Sequence, residues 1–191
     1  MNFSRANTPD LLIKDTVGVE VGVDQGLFSK VLLSKGPKKL YLVDAWQTVK
    51  GTDRTTGVKQ SVHDEKCKSV MEMFRDETRV VIIRSWSEEA SLRFDNNSLD
   101  WVYIDARHDY EGVMSDLKAW EKKIKPTGFL WGDDYRTPDM KHKPRVDVRR
   151  AVADFTRDTK WKLIGLTTEE KRSKSFFLAK NQEIIDRFNS L

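Results

Sequence analysis

Short apolar runs separated by segments of helical spacing constrain this chain more than any other feature. The runs at 17–23, 40–43, 79–83, 101–104 and 128–131 are rich in Val, Ile, Leu and aromatic residues, the composition of strands that sit inside a sheet. Between them, segments 27–34, 62–74, 88–94 and 110–124 carry apolar residues three and four apart, the last as Val113, Leu117, Trp120 and Ile124, which is one helix face. Strand alternating with helix implies parallel strands joined by crossover helices on both faces. A further helix around 146–155 precedes two runs, 161–166 and 175–179, joined by a short charged loop that allows only a hairpin. The expected fold is therefore α/β: a Rossmann-like seven-stranded sheet, parallel with one antiparallel strand in a C-terminal hairpin, forming a single domain over 1–191.

Composition limits the function classes. With 191 residues, 38% hydrophobic and 34% charged, the chain suits one globular domain with a substantial core. No apolar run approaches the roughly 20 residues that span a bilayer, and the first residues lack the apolar stretch of a signal peptide, so a cytoplasmic location with no membrane partner is expected. Cys67 is the single cysteine, which excludes an intrachain disulfide. A net charge of +4, spread along the chain, is too small and too dispersed to argue for nucleic acid by itself, and a nucleic-acid partner is not expected. A homo-oligomer is compatible with everything in the sequence.

In an open α/β sheet, ligands bind beyond the carboxyl ends of the strands, and the chemistry-bearing residues of this sequence cluster there. Glu20, Gly22 and Gly26 form E-x-G-x-x-x-G where the first strand runs into a helix, and the second strand ends in Asp44 and Ala45. The pair suits S-adenosylmethionine: glycines let the backbone approach the methionine part, and an ionised Asp44 can accept from both ribose hydroxyls. A dinucleotide loop, G-x-G-x-x-G, would place Glu20 and Gln25 where two of its glycines belong. A turn with no ligand is common in α/β proteins; Asp44 is what favours a cofactor.

The fourth strand ends at Asp105 with His108 three residues on, and the fifth ends in the pair Asp133 and Asp134. Neighbouring strands four and five would bring the three acids together, and hard oxygen ligands favour Mg²⁺, with Mn²⁺ or Ca²⁺ as alternatives. The other reading is that Asp133 or Asp134 only turns the loop. Adjacent residues of a strand point to opposite faces, so both reach one cation only where the strand has ended.

The run I-D-A-x-H-x-Y-E-G-V followed by W-G-D-D-Y resembles the metal-dependent class I O-methyltransferases of the macrocin and mycinamicin type, which modify sugar hydroxyls. The likeness runs from Val17 to Tyr135, with Ala106 standing where the family usually has glycine. It implies cofactor residues Glu20, Gly22, Gly26, Asp44, Ala45, Trp86, Ser87 and Asp105, metal ligands Asp105, Asp133 and Asp134, and His108 as general base with Asp105 beside it at the catalytic centre. The implied activity is Mg²⁺-dependent methyl transfer from S-adenosylmethionine to a sugar hydroxyl, free, nucleotide-linked or in a glycan. A catechol or other phenol acceptor is the nearest alternative, and a nucleic-acid acceptor a more distant one.

Trp46, Arg107 and Tyr135 follow motif strands and could meet the acceptor by stacking or hydrogen bonding. Arg136, Lys141, Lys143 and Arg145 could meet an anionic group on it, and the polar stretch 46–61 suits a lid. His63 and His142 lie in polar segments and read as solvent-exposed.

Overall fold

A computed structural model describes residues 10–48, 58–136, 147–168 and 173–189. Seven strands form one sheet in the order β3-β2-β1-β4-β5-β7-β6. They are β1 (Val17–Val21), β2 (Lys39–Asp44), β3 (Val80–Arg84), β4 (Leu99–Ile104), β5 (Ile124–Arg136), β6 (Lys162–Leu166) and β7 (Lys174–Ala179). The first five pair in parallel, and β7 runs antiparallel to both β5 and β6, the arrangement that the strand-helix alternation and terminal hairpin imply. The helices are α1 (Asp10–Ile13), α2 (Leu27–Ser34), α3 (Gln60–Met73), α4 (Ser87–Ser91), α5 (Tyr110–Trp120), α6 (Val148–Asp158) and α7 (Gln182–Asn189).

Alternation along each strand divides the core into two layers. On β4, Val102 and Ile104 join one cluster with Val113, Leu117 and Trp120 of α5 and Val152 and Phe155 of α6. Trp101 and Tyr103 face the other way, toward a cluster with Leu32 of α2, Val70 of α3 and Phe188 of α7. A period of two on strands meeting a period of 3.6 on helices gives a sheet covered on both faces. Trp101, Trp120, Trp131 and Trp161 are all buried in these layers.

The departures from expectation are local. β5 covers 13 residues, far more than the apolar run 128–131, because Leu99 pairs with Ile124 before a register shift and Arg136 pairs with Lys174 after another. Helices α1 and α7 lie outside the expected set. Most of the proposed lid, 49–57, and the basic segment 137–146 fall outside the described residues. Among the described residues, no helix is long and apolar enough to cross a membrane.

Candidate active site

The turn after β1 is held by backbone geometry that only glycine permits. Gly22 has φ 93°, and a Cβ there would lie 2.2 Å from the Asp105 carbonyl oxygen. The absence of a side chain thus lets the β1 turn close on the end of β4, where Asp105 N–H donates to Val21 O at 2.7 Å. Gly26, φ 73°, caps α2. Glu20 is buried and accepts from Ser29 Oγ of α2. Asp44 ties the second strand to the same turn: Oδ2 accepts from Val23 N–H and Asp24 N–H, both at 2.9 Å, and Oδ1 accepts from Trp46 N–H at 2.7 Å. The carboxylate orders the loop and also lines the cavity beside it.

That cavity, about 680 Å³, runs along the carboxyl ends of β1, β2, β3 and β4 and is walled by Glu20, Gly22, Asp44, Ala45, Trp86, Ser87, Asp105 and His108 among others. Its volume falls in the range of small-molecule and cofactor sites. In the cavity wall, Ser87 Oγ accepts from Trp120 Nε1 at 2.9 Å. Its own proton is thereby left for Asp116, a cavity residue of α5 that is 3% exposed and hydrogen-bonded to Ser87. Burial, reinforced by the nearby Glu88 charge and opposed by Ser87, Arg107 and His108, pushes the Asp116 carboxyl up to about 7.

Also in the cavity wall, His108 Nε2 lies 3.2 Å from Asp105 Oδ1 and 3.2 Å from Asp134 Oδ2. One ligand atom from each of these residues falls within 4.8 Å of the others. The two carboxylates at this spacing fit a divalent cation that takes oxygen ligands, and the imidazole nitrogen faces the same point. His108 is nearly fully buried, and its carbonyl accepts from Asp147 N–H at 2.7 Å, which anchors the start of α6 to the site.

Asp134 reaches the cluster by a kink in β5. It has φ 57° within the stretch where the β5–β7 register shifts, a left-handed conformation that aspartate tolerates better than most residues. Asp133 stands elsewhere, its Oδ1 accepting from Ser175 Oγ of β7 at 3.1 Å. The cluster of Asp105, His108 and Asp134 does not include Asp133, the third acid that the sequence reading assigns to the metal.

Residues 19–135, from β1 through β5, match the family described as "Methyltransferase domain". The chain belongs to that family. Its seven-stranded sheet, with one antiparallel strand in the terminal hairpin, has the class I methyltransferase fold. An uncharacterized protein of Acanthamoeba polyphaga mimivirus is 25% identical over 147 residues, covering 74% of this chain and 61% of the relative's length. A candidate rRNA methylase from Clostridium thermocellum superimposes with a TM-score of 0.64 at 12% identity, covering 94% of this chain and 98% of that one. Fibrillarin from Aeropyrum pernix, solved with natively bound S-adenosyl-L-methionine, gives 0.63 at 9% identity over 88% of this chain and 68% of its own. Spermidine synthase from Thermotoga maritima gives 0.60 at 16% identity over 97% of this chain and 60% of its own. Likeness at these identities is likeness of fold.

Around the methyltransferase cavity, the expected acceptor residues take different places. Arg107 lines the wall but spends its guanidinium on Asp109, Nε to Oδ2 at 3.0 Å and a second nitrogen to Oδ1 at 2.6 Å. Trp46 is 1% exposed, donates its indole N–H to the Asp24 carbonyl at 2.8 Å and serves as a wall residue rather than an open platform. Tyr135 is half-buried against Phe176, ring centroids 6.2 Å apart, and is not among the residues that wall the cavity. His63 corrects the sequence reading outright: it is 7% exposed and lines the cavity. Asp116 was missed, although its place beside Val113, Leu117 and Trp120 on one helical stripe signals a buried acid.

Proposed function

We propose that this methyltransferase is a divalent-metal-dependent O-methyltransferase whose acceptor is a vicinal diol of the sugar type. The observation that carries the reading is the cluster of Asp105, His108 and Asp134 at the edge of the cavity that Asp44 and the β1 turn define. When bound, S-adenosylmethionine would supply an electrophilic methyl group, and Mg²⁺ or Mn²⁺, held by Asp105 and Asp134, would act as a Lewis acid that lowers the hydroxyl pKa.

The chain's own residues then have separable tasks. Asp44 and the Gly22 turn hold the cofactor's ribose and methionine parts. Asp105 and Asp134 provide the anionic ligands, fixed respectively by the end of β4 and by the kink in β5. His108 Nε2 faces the same point as both carboxylates and takes the proton of the attacking hydroxyl; general-base help of this kind is typically worth about 10²–10⁴-fold. Burial of His108 keeps bulk water from competing for that proton, and positioning of the two reactants contributes much of the rest.

A catechol presents the same pair of adjacent oxygens, so the acceptor has to be read by experiment. Transfer of a radiolabelled methyl group would be followed into nucleotide sugars, oligosaccharides, catechol and RNA, with Mg²⁺ and with EDTA. The expected result is label in a sugar fraction, abolished by EDTA and restored by Mg²⁺. Label confined to RNA, or transfer indifferent to exhaustive chelation, would overturn the proposal.

A further inference from the structure

We infer that His63 of α3 completes the ribose subsite, forming through Nε2 the second hydrogen bond that the two ribose hydroxyls require and that Asp44 alone leaves unmade. The inference rests on the reading that the cavity holds S-adenosylmethionine.

The argument begins with acceptor capacity. A carboxylate offers about four lone-pair positions. The loop fills three of those on Asp44, through the N–H groups of Val23, Asp24 and Trp46. A ribose arriving with two hydroxyls finds one position left.

Helix α3 places His63 where the second partner is needed. Gln60, His63, Cys67 and Val70 recur at spacings of three and four and share a face. Gln60 Nε2 donates to the Trp46 carbonyl at 2.9 Å, and Lys66 pairs with the Asp24 carboxylate. Farther along, Val70 packs against Gly26, where a Cβ would lie 3.3 Å from Val70 Cγ2. His63 is therefore bracketed between contacts to Trp46 and Asp24, two of the residues whose N–H groups Asp44 holds.

The side chain itself carries the sign of a ligand. His63 lines the cavity, and its Nε2 is buried with no hydrogen-bond partner among the described residues. Folded chains rarely bury a ring nitrogen without a partner, because the lost solvation goes unmatched. A hydroxyl both donates and accepts, so either tautomer of a neutral imidazole satisfies it.

The test is calorimetric titration of S-adenosylhomocysteine and of its 2′-deoxy and 3′-deoxy analogues into wild type, His63→Phe, His63→Leu and His63→Gln. S-Adenosylhomocysteine is expected to bind the Phe and Leu variants about tenfold more weakly than wild type, the scale of one buried hydrogen bond. One of the two deoxy analogues should show almost no such loss, and His63→Gln, whose amide reaches the position of Nε2, should keep most of the affinity. Either apolar variant suffices if the other does not fold. Unchanged binding in the apolar variants, or the same loss with all three ligands, would overturn the inference while leaving the cofactor reading intact. No binding of S-adenosylhomocysteine to wild type would overturn both.

Discussion

Replacing Asp116 by Asn should remove a pH dependence of stability that wild type carries between about pH 4 and 7. Asp116 is 3% exposed, so its burial is not diluted by solvent, and desolvation is the largest influence on it. Its carboxyl rises from 3.8 to about 7 in the folded chain. The folded state therefore keeps a proton that the unfolded state releases over that window, and stability falls as pH rises through it. At 1.36 kcal/mol for each pH unit of difference, a rise of roughly 3 units corresponds to about 4 kcal/mol, fully present as stability below pH 4 and lost above pH 7. Asn keeps the volume, still accepts from Ser87 and cannot ionise. Urea denaturation of both proteins at half-unit steps from pH 4 to 8 isolates the effect, because other groups cancel in the difference. The variant should gain on wild type by about 1.4 kcal/mol per pH unit within the window and then level off. A difference that stays constant across the range would refute the assignment of a buried, proton-retaining Asp116.

Three further outcomes follow from the site. Gly22→Ala should cost at least about 2 kcal/mol in denaturation and displace the end of β4, since its φ of 93° and a Cβ 2.2 Å from Asp105 O leave no room for adjustment; a variant as stable as wild type would contradict the close approach. Asp44→Ala should weaken S-adenosylhomocysteine binding about 10–100-fold or more by calorimetry, from the loss of charged hydrogen bonds. His108→Ala should lower kcat by about 10²–10⁴-fold while retaining Mn²⁺, whereas loss of Mn²⁺ together with turnover would make Nε2 a ligand instead of the base.

Much of the fold was legible because strands such as β1, β4 and β7 are buried on both faces and read as nearly continuous apolar runs. β5 was read short because Lys125, Pro126 and Thr127 look like a turn, and only the pairing of Leu99 with Ile124 extends the strand through them. The signal for α7 was present in Ile184, Ile185 and Phe188, with the Asn181 side chain accepting from Glu183 N–H at 2.8 Å at the helix start. At the site, the backbone positions Gly22 and Asp44 followed from spacing alone. The backbone kink at Asp134, φ 57°, did not, because it lies where the β5–β7 register shifts, a long-range feature with no local signal. His63 looked exposed among polar neighbours, yet its spacing to Cys67 and Val70 puts it on the buried stripe. Long-range pairing decided what local pattern left open.

The central claim is that Asp105 and Asp134 hold a divalent cation beside the cofactor, and Mn²⁺ titration followed by electron paramagnetic resonance tests it most directly. Wild type should bind about one ion per chain, Asp134→Ala should bind none, and Asp133→Asn, whose parent side chain serves Ser175 instead, should bind as wild type does. Wild type that leaves all added Mn²⁺ free, or an Asp134→Ala variant that binds it undiminished, would contradict the account.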